Sequence, residues 1–255
     1  MKALLLAGGY AMRLRPLTET VAKPLLPVGG RPMADWIVDA VQETGIEEIH
    51  VVTNAVYADA FTAWADGRSI VVHNDGTSSN DDRLGATGDI WFAIEHGGLL
   101  DDDLLVIAAD NLFEFSLRNY IDFWAARGGS AASAIAVHRL DDPSLASLYG
   151  VVELGDNERV VGLEEKPKHP KSDLVSTATY IFGREHLPLM RGYLEAGLPP
   201  DPPGTFISWL LEREPLFGFG FTGEWLDIGN PSQLLAADNL YRVRHGMPPR
   251  DHYAL

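Results

Sequence analysis

The sequence predicts an α/β fold built on a mainly parallel, mixed central sheet with helices on both faces. Three observations carry this. Short apolar runs alternate with segments of helical period over roughly the first 130 residues, the rhythm of strand–helix–strand units. The first run, Leu4 to Leu6, stops at Gly8-Gly9 and is followed by spaced cations. That is how an α/β sheet presents N–H groups and positive charge to a phosphate. After about residue 131, strand-like segments crowd together, which indicates antiparallel elaboration.

The elements follow in order. A strand is expected at about 2–7. Met33, Trp36, Ile37, Ala40, Val41 and Thr44 mark one face of a helix, and Gly45 ends it. EIHVVT (48–53) and SIVVH (69–73) are strands separated by a helix near 57–66. The polar loop HNDGTSSNDD (73–82) leads to a helix near 88–97. DLLVIA (103–108) is a further buried strand, and Ser116 stands where it caps the next helix. Segments 131–138, 149–154, 158–164 and 174–182 are strands, helices return near 185–195 and 204–213, and a last helix opens after Pro231. The runs PPDPPG (199–204) and KPKHPK (166–171) are too short for linkers and read as rigid loops. No internal repeat is present. One domain spanning 1–255 is expected, with a first half to about residue 130 and a strand-rich second half.

Bulk composition narrows the function. Hydrophobic content of 46 % and charged content of 22 % are ordinary for a globular protein. A net charge of −16 argues against nucleic acid and against an anionic membrane surface as partners. The chain has no cysteine, which excludes disulfides and thiolate metal sites and fits the cytoplasm. The N-terminal apolar run is too short for a signal peptide, and no apolar stretch is long enough to span a membrane. Residues 1–31 carry five Lys or Arg against one acid, Glu19. A cationic island in an acidic protein marks an anion site.

That island is LLLAGGYAMRLRPLTETVAKPLLPV, residues 4–28. It is neither GxxxxGK[ST] nor GxGxxG. It resembles the signature of the sugar-1-phosphate nucleotidylyltransferases, roughly LAGGxGxRLxPLTxxxxKPLLPV, over about twenty consecutive positions. The family's third glycine is Ala11 here; alanine leaves room for a phosphate provided its φ is negative. The resemblance continues to about residue 240 and implies a Rossmann-like nucleotidyltransferase fold. Its first half would bind nucleotide and its second half sugar. Leu6, Ala7, Gly8 and Gly9 would then contact nucleotide, with Arg13 and Lys23 as catalytic cations.

Asp110 ends a buried strand in LLVIAADN, where open α/β sheets bind ligands. A carboxylate there, beside a phosphate loop, is a candidate Mg²⁺ ligand and nucleotide contact. The family's W-x-D-x-G segment is similar to Trp225–Gly229, which makes Asp227 the implied second metal ligand; its convergence with Asp110 rests on the resemblance. The triplet Asp101–Asp103 lies before its strand, at the wrong end, and reads as a solvated turn. LYGVVEL, LEEKP and KSDLVSTATYIF resemble the family's sugar-pocket strands. By position, Gly150 and Glu165 would bind sugar hydroxyls, Lys166 would hold the sugar phosphate, and Thr177 and Tyr180 would line the pocket. The family's TG pair is Thr177-Ala178, so a methyl group is expected to intrude. RLGATGDIWFAIE resembles the base-reading loop, with Gly85 at the base edge. The loop at 73–82 either shapes the entrance or is a plain surface loop.

The resemblance implies nucleotidyl transfer, with NTP and a sugar 1-phosphate as partners and Mg²⁺ as cofactor. Glucose 1-phosphate with dTTP or UTP is the first choice of substrates, and mannose 1-phosphate with GTP the second. A glycosyltransferase would need a DxD that AADN does not supply. An inactive homologue would have lost Arg13, Lys23, Asp110 or Asp227, and all four are present. No repeat-rich segment follows residue 240, so an appended β-helix or acyltransferase domain is not expected. Homo-oligomerisation is left open.

Overall fold

The computed structural model describes residues 1–255. Along the chain run β1 (Lys2–Ala7), β2 (Pro27–Val28), β3 (Arg31–Pro32), α1 (Met33–Gln42), β4 (Ile49–Thr53), α2 (Ala58–Ala65), β5 (Ile70–Asn74), α3 (Ala86–Gly97), β6 (Leu104–Ala108), β7 (Asn111–Phe113) and α4 (Leu117–Ala125). The second half contributes β8 (Ser133–Arg139), β9 (Gly150–Leu154), β10 (Val160–Glu165), β11 (Leu174–Phe182), α5 (Leu187–Glu195), α6 (Pro203–Leu211), β12 (Leu216–Phe221), β13 (Trp225–Asp227) and α7 (Pro231–Arg244). Ser116 caps α4 by accepting from the Asn119 N–H, as expected, and Asn230 caps α7 through the Gln233 N–H.

One nine-stranded sheet draws strands from both halves, in the order β10-β9-β11-β6-β1-β4-β5, with β8 on β11 and β12 on β8. β6, β1, β4 and β5 are mutually parallel. β11 runs antiparallel to β6, β8 and β9, and β9 to β10. The anticipated elaboration is therefore antiparallel, except that β12 joins β8 in parallel. Leu4 and Leu5 are both fully buried, one on each face. Helices cover both faces, which is why the strand reads as a continuous apolar run rather than an alternating one. Leu5, Val51 and Ile107 pack with α1, α2, α4 and α7. Leu4, Val52 and Val106 pack with α3, α5 and α6.

Two details correct the sequence reading. Asp102 pairs with the Met1 amine at 2.7 Å, and Asp103 accepts from the Arg184 N–H at 2.9 Å and the Ser130 hydroxyl at 3.1 Å. Only Asp101 of that triplet is the solvated turn residue expected. Ala11 does not have negative φ: it stands at φ 43°, ψ 45°, with its carbonyl accepting from Leu14 N–H and Thr18 Oγ1. Alanine thus keeps the left-handed turn that glycine adopts at no steric cost. Ala178 repeats the pattern at φ 54°, within the register shift of β11 between Ser176 and Tyr180. No helix is long and apolar enough to cross a membrane.

Candidate active site

The site lies at the carboxyl edge of the parallel strands. The chain leaves β1 at Ala7, and the carbonyls of Ala7 and Gly8 are held from behind by Thr53 Oγ1 and Asn54 Nδ2. Leu6, Ala7, Gly9, Ala11, Arg13, Lys23, Asp110 and Gly229 line one small cavity of about 130 Å³. Gly8 turns away from it. A Cβ on Gly8 would lie 2.4 Å from the Asp89 carboxylate, so glycine is needed there for close packing on α3.

Lys23 is buried, and its Nζ donates to Asp110 Oδ2 at 2.6 Å. Asn111 Nδ2 donates to the other oxygen, Oδ1, at 2.8 Å, and the Trp225 indole fixes that amide through a 2.9 Å bond to its oxygen. Burial disfavours ionisation of Asp110, but Lys23 and Asn111 outweigh it and hold the carboxyl below the usual carboxylate range. β7 and β13 form a two-stranded antiparallel ladder in which Asp227 stands opposite Asn111. This brings Asp227 beside Asp110. Burial, and then the charge of Asp110, push the Asp227 carboxyl up, against Lys23, Arg13 and Lys166.

A larger cavity of about 560 Å³ adjoins the first and shares Arg13 and Gly229 with it. Gly150, Glu165, Lys166, Thr177, Tyr180 and Asp227 all line it. Glu165 has its carboxyl raised, by burial first and by Asp201, with Lys166 opposing at 3.9 Å. The Lys166 side chain is 60 % exposed, and the residue's backbone N–H donates to the Tyr149 carbonyl. Thr177 is buried, and its hydroxyl donates to the Ala136 carbonyl at 3.1 Å. It therefore offers the pocket little beyond its backbone. Tyr180 is buried, and burial raises its phenol. Gly85 is set apart from both cavities: it precedes α3 at φ 78°, under Pro200 and Asp201.

Twelve of the fourteen residues anticipated from sequence thus line two adjoining cavities, while Gly8 and Gly85 support the loops around them. Asn111, Asp89 and Asp201 were not anticipated. Asp110 and Asp227 are the acids that meet where the two cavities join, and no group of three metal-ligating side chains exists. Two carboxylates, one held ionised and the other raised by burial and then by its neighbour, fit a Mg²⁺ ion completed by phosphate oxygens.

A profile described as nucleotidyl transferase matches residues 2–243. The chain belongs to the sugar-1-phosphate nucleotidylyltransferase family. It is 33 % identical to a glucose-1-phosphate thymidylyltransferase of Streptomyces antibioticus over 98 % of its own length and 68 % of that relative's. It is 28 % identical to a mannose-1-phosphate guanyltransferase of Saccharomyces cerevisiae, over 94 % of this chain and 64 % of the other. A Bacillus anthracis protein solved with sucrose superposes with a TM-score of 0.78 at 26 % identity, covering 95 % of each chain. The chain spans about two thirds of the length of the curated relatives it matches first. Thymidylyl-, uridylyl- and guanylyltransferases are all among them, so the family places this member with the nucleotidyl-transferring enzymes.

Behind the loop after β1, against Gly8, lies an acid whose charge state can be read from stability. Asp89 is buried with Oδ1 unpartnered, and burial, then Asp75 and Asp201, raise its carboxyl to about 8. The folded state therefore holds a proton that the unfolded chain releases near the ordinary carboxylate value of about 4. Asp89 costs nothing below that value and progressively more as pH rises toward 8. Asp89→Asn is expected to melt several degrees above the parent at pH 8, with the gain vanishing near pH 4. Thermal unfolding across that range measures it; a constant difference at all pH values would contradict the assignment.

Proposed function

We propose that this protein transfers a nucleotidyl group from an NTP to a sugar 1-phosphate, releasing pyrophosphate. The observation that carries the reading is the meeting of two cavities at Arg13, with the Asp110–Asp227 pair at their junction. One cavity carries Lys23 and the loop after β1; the other carries Glu165, Lys166 and Tyr180. In this reading an oxygen of the sugar phosphate attacks the α-phosphorus as the bond to the β-phosphate oxygen breaks. Pyrophosphate leaves with that electron pair. Such transfer needs positioning and charge neutralisation more than a protein nucleophile. Lys23, released from Asp110, would hold the α-phosphate, Arg13 would meet the charge on the leaving pyrophosphate, and Lys166 would orient the attacking phosphate. Mg²⁺ on Asp110 and Asp227 would supply further neutralisation of phosphate charge.

Glucose 1-phosphate with dTTP or UTP is the preferred pair, supported by similarity to the Streptomyces antibioticus protein. Mannose 1-phosphate with GTP is the second reading, supported by similarity to the yeast protein. A matrix of NTPs against hexose 1-phosphates, read by pyrophosphate release, tests both. No release from any pair would reject nucleotidyl transfer.

Lys166 separates the two substrates. Lys166→Ala is expected to raise KM for the sugar 1-phosphate far more than KM for the NTP, because Lys166 arrives after β10 and faces only the larger cavity. Were it merely an exposed partner of Glu165, its removal would change little, since such pairs contribute about 0–1 kcal/mol. An unchanged sugar-phosphate KM, or a selective rise for the NTP, would overturn this role.

A further inference from the structure

The run Pro199-Pro200-Asp201-Pro202-Pro203-Gly204 has no part in the reading above, yet it forms a wall of the larger cavity. Four of its six residues are proline, so the ring-locked φ angles leave the segment little freedom to lose on binding. It is held from both sides. The Tyr193 hydroxyl donates to the Pro199 carbonyl at 2.6 Å, and Thr205 Oγ1 to the Pro202 carbonyl at 2.7 Å. Across the gap, Thr87 N–H donates to the Pro200 carbonyl at 2.9 Å, and Arg83 Nη2 to Asp201 Oδ2 at 3.3 Å. The Asp201 side chain still keeps 38 % of its surface open.

The run also seats the neighbouring acid. A Cβ on Gly204 would lie 2.1 Å from Glu165 Oε2, and one on Gly150 would lie 3.0 Å from the same oxygen. Glu165 thus occupies a slot that only two glycines leave open. The charge of Asp201 is felt by Glu165, so the two carboxyl groups belong to one end of the cavity. Each already has a cation, Arg83 for Asp201 and Lys166 for Glu165. Their remaining lone pairs therefore suit neutral donors rather than a further ammonium.

We propose that the Pro199–Gly204 run is the wall that selects the sugar, with the Asp201 carboxylate accepting a hydrogen bond from a ring hydroxyl beside Glu165. The inference rests on the nucleotidyl-transfer reading and adds a specificity-determining residue to it. A hydroxyl bound to a charged acceptor on a pre-set backbone is worth more than a neutral contact.

Steady-state kinetics on the whole chain test it, with glucose 1-phosphate, its deoxy analogues and dTTP or UTP. Asp201→Ala is expected to raise KM for the sugar 1-phosphate about tenfold or more and to leave the NTP KM nearly unchanged. Asp201→Asn, which keeps the volume, moves in the same direction by less. The unsubstituted protein loses a similar factor on the one deoxy analogue that lacks the gripped hydroxyl, and Asp201→Ala no longer distinguishes that analogue from glucose 1-phosphate. Gly204→Ala, which drives Glu165 from its slot, raises the same KM. An unchanged sugar KM in both Asp201 variants, or an equal rise for the NTP, overturns the inference and leaves nucleotidyl transfer standing. An unsubstituted protein inactive with every pair overturns both.

Discussion

Asp110→Asn is expected to abolish pyrophosphate release, by about 10³-fold or more. The amide cannot supply the anionic oxygen that a divalent cation and Lys23 both require, and Asp227 alone is too small a ligand set. Two opposing effects bear on stability. The buried Lys23 ammonium loses its charged partner, which destabilises. Asp227 is freed from the adjacent negative charge, which offsets part of that loss. A modest fall in melting temperature is therefore expected beside the loss of turnover. Pyrophosphate release and thermal unfolding of the same preparation separate the two effects. A variant turning over at the parental rate, or a parent fully active in EDTA, would remove Asp110 from its role.

Arg13→Ala and Lys23→Ala are each expected to lower kcat on the order of 10²-fold or more, the scale on which one preorganised charge-stabilising donor acts. The two should differ in pH dependence. Lys23 holds Asp110 below the usual carboxylate range, so without it the Asp110 carboxyl rises. Activity that needs the carboxylate is then lost at a higher pH on the acid side. Arg13→Ala leaves the Lys23–Asp110 contact in place and should shift that limb less. Arg15→Ala is the control: Arg15 faces a separate cleft with Tyr10, Glu19 and Tyr57 and lines neither site cavity. If Arg15→Ala proved as damaging as Arg13→Ala, the phosphate loop would be misregistered. Rate profiles against pH for the three variants provide the comparison.

Most elements of the fold were legible because their signals are local. Leu4 to Leu6, the helical spacing from Met33 to Val41 and the cap at Ser116 each state their structure within a few residues. β12 was not legible: LFGFGF alternates glycine with phenylalanine, and its partner β8 lies about eighty positions earlier. The site divides along the same line. Arg13, Lys23 and Asp110 stand in short motifs, whereas the approach of Asp227 is created by pairing across the fold. Asp89 and Asp201 gave no signal, since an acid in a helical pattern or between prolines looks solvent-facing until its surroundings are known. The left-handed turn at Ala11 was hidden for a simpler reason: the residue that would have announced it, glycine, is not there.

The short ladder between β7 and β13 also sets when in the life of the chain activity can begin. It fastens residues 111–113 to residues 225–227, so the carboxylate pair closes only after synthesis has passed Asp227. Contacts of such long range pay their loop-closure entropy late in folding. A nascent chain halted before Trp225 lacks Asp227, and with it Leu234, Ala237 and Tyr241 of the core beneath the loop after β1. In the reading proposed above, turnover then reports on completed assembly of both halves.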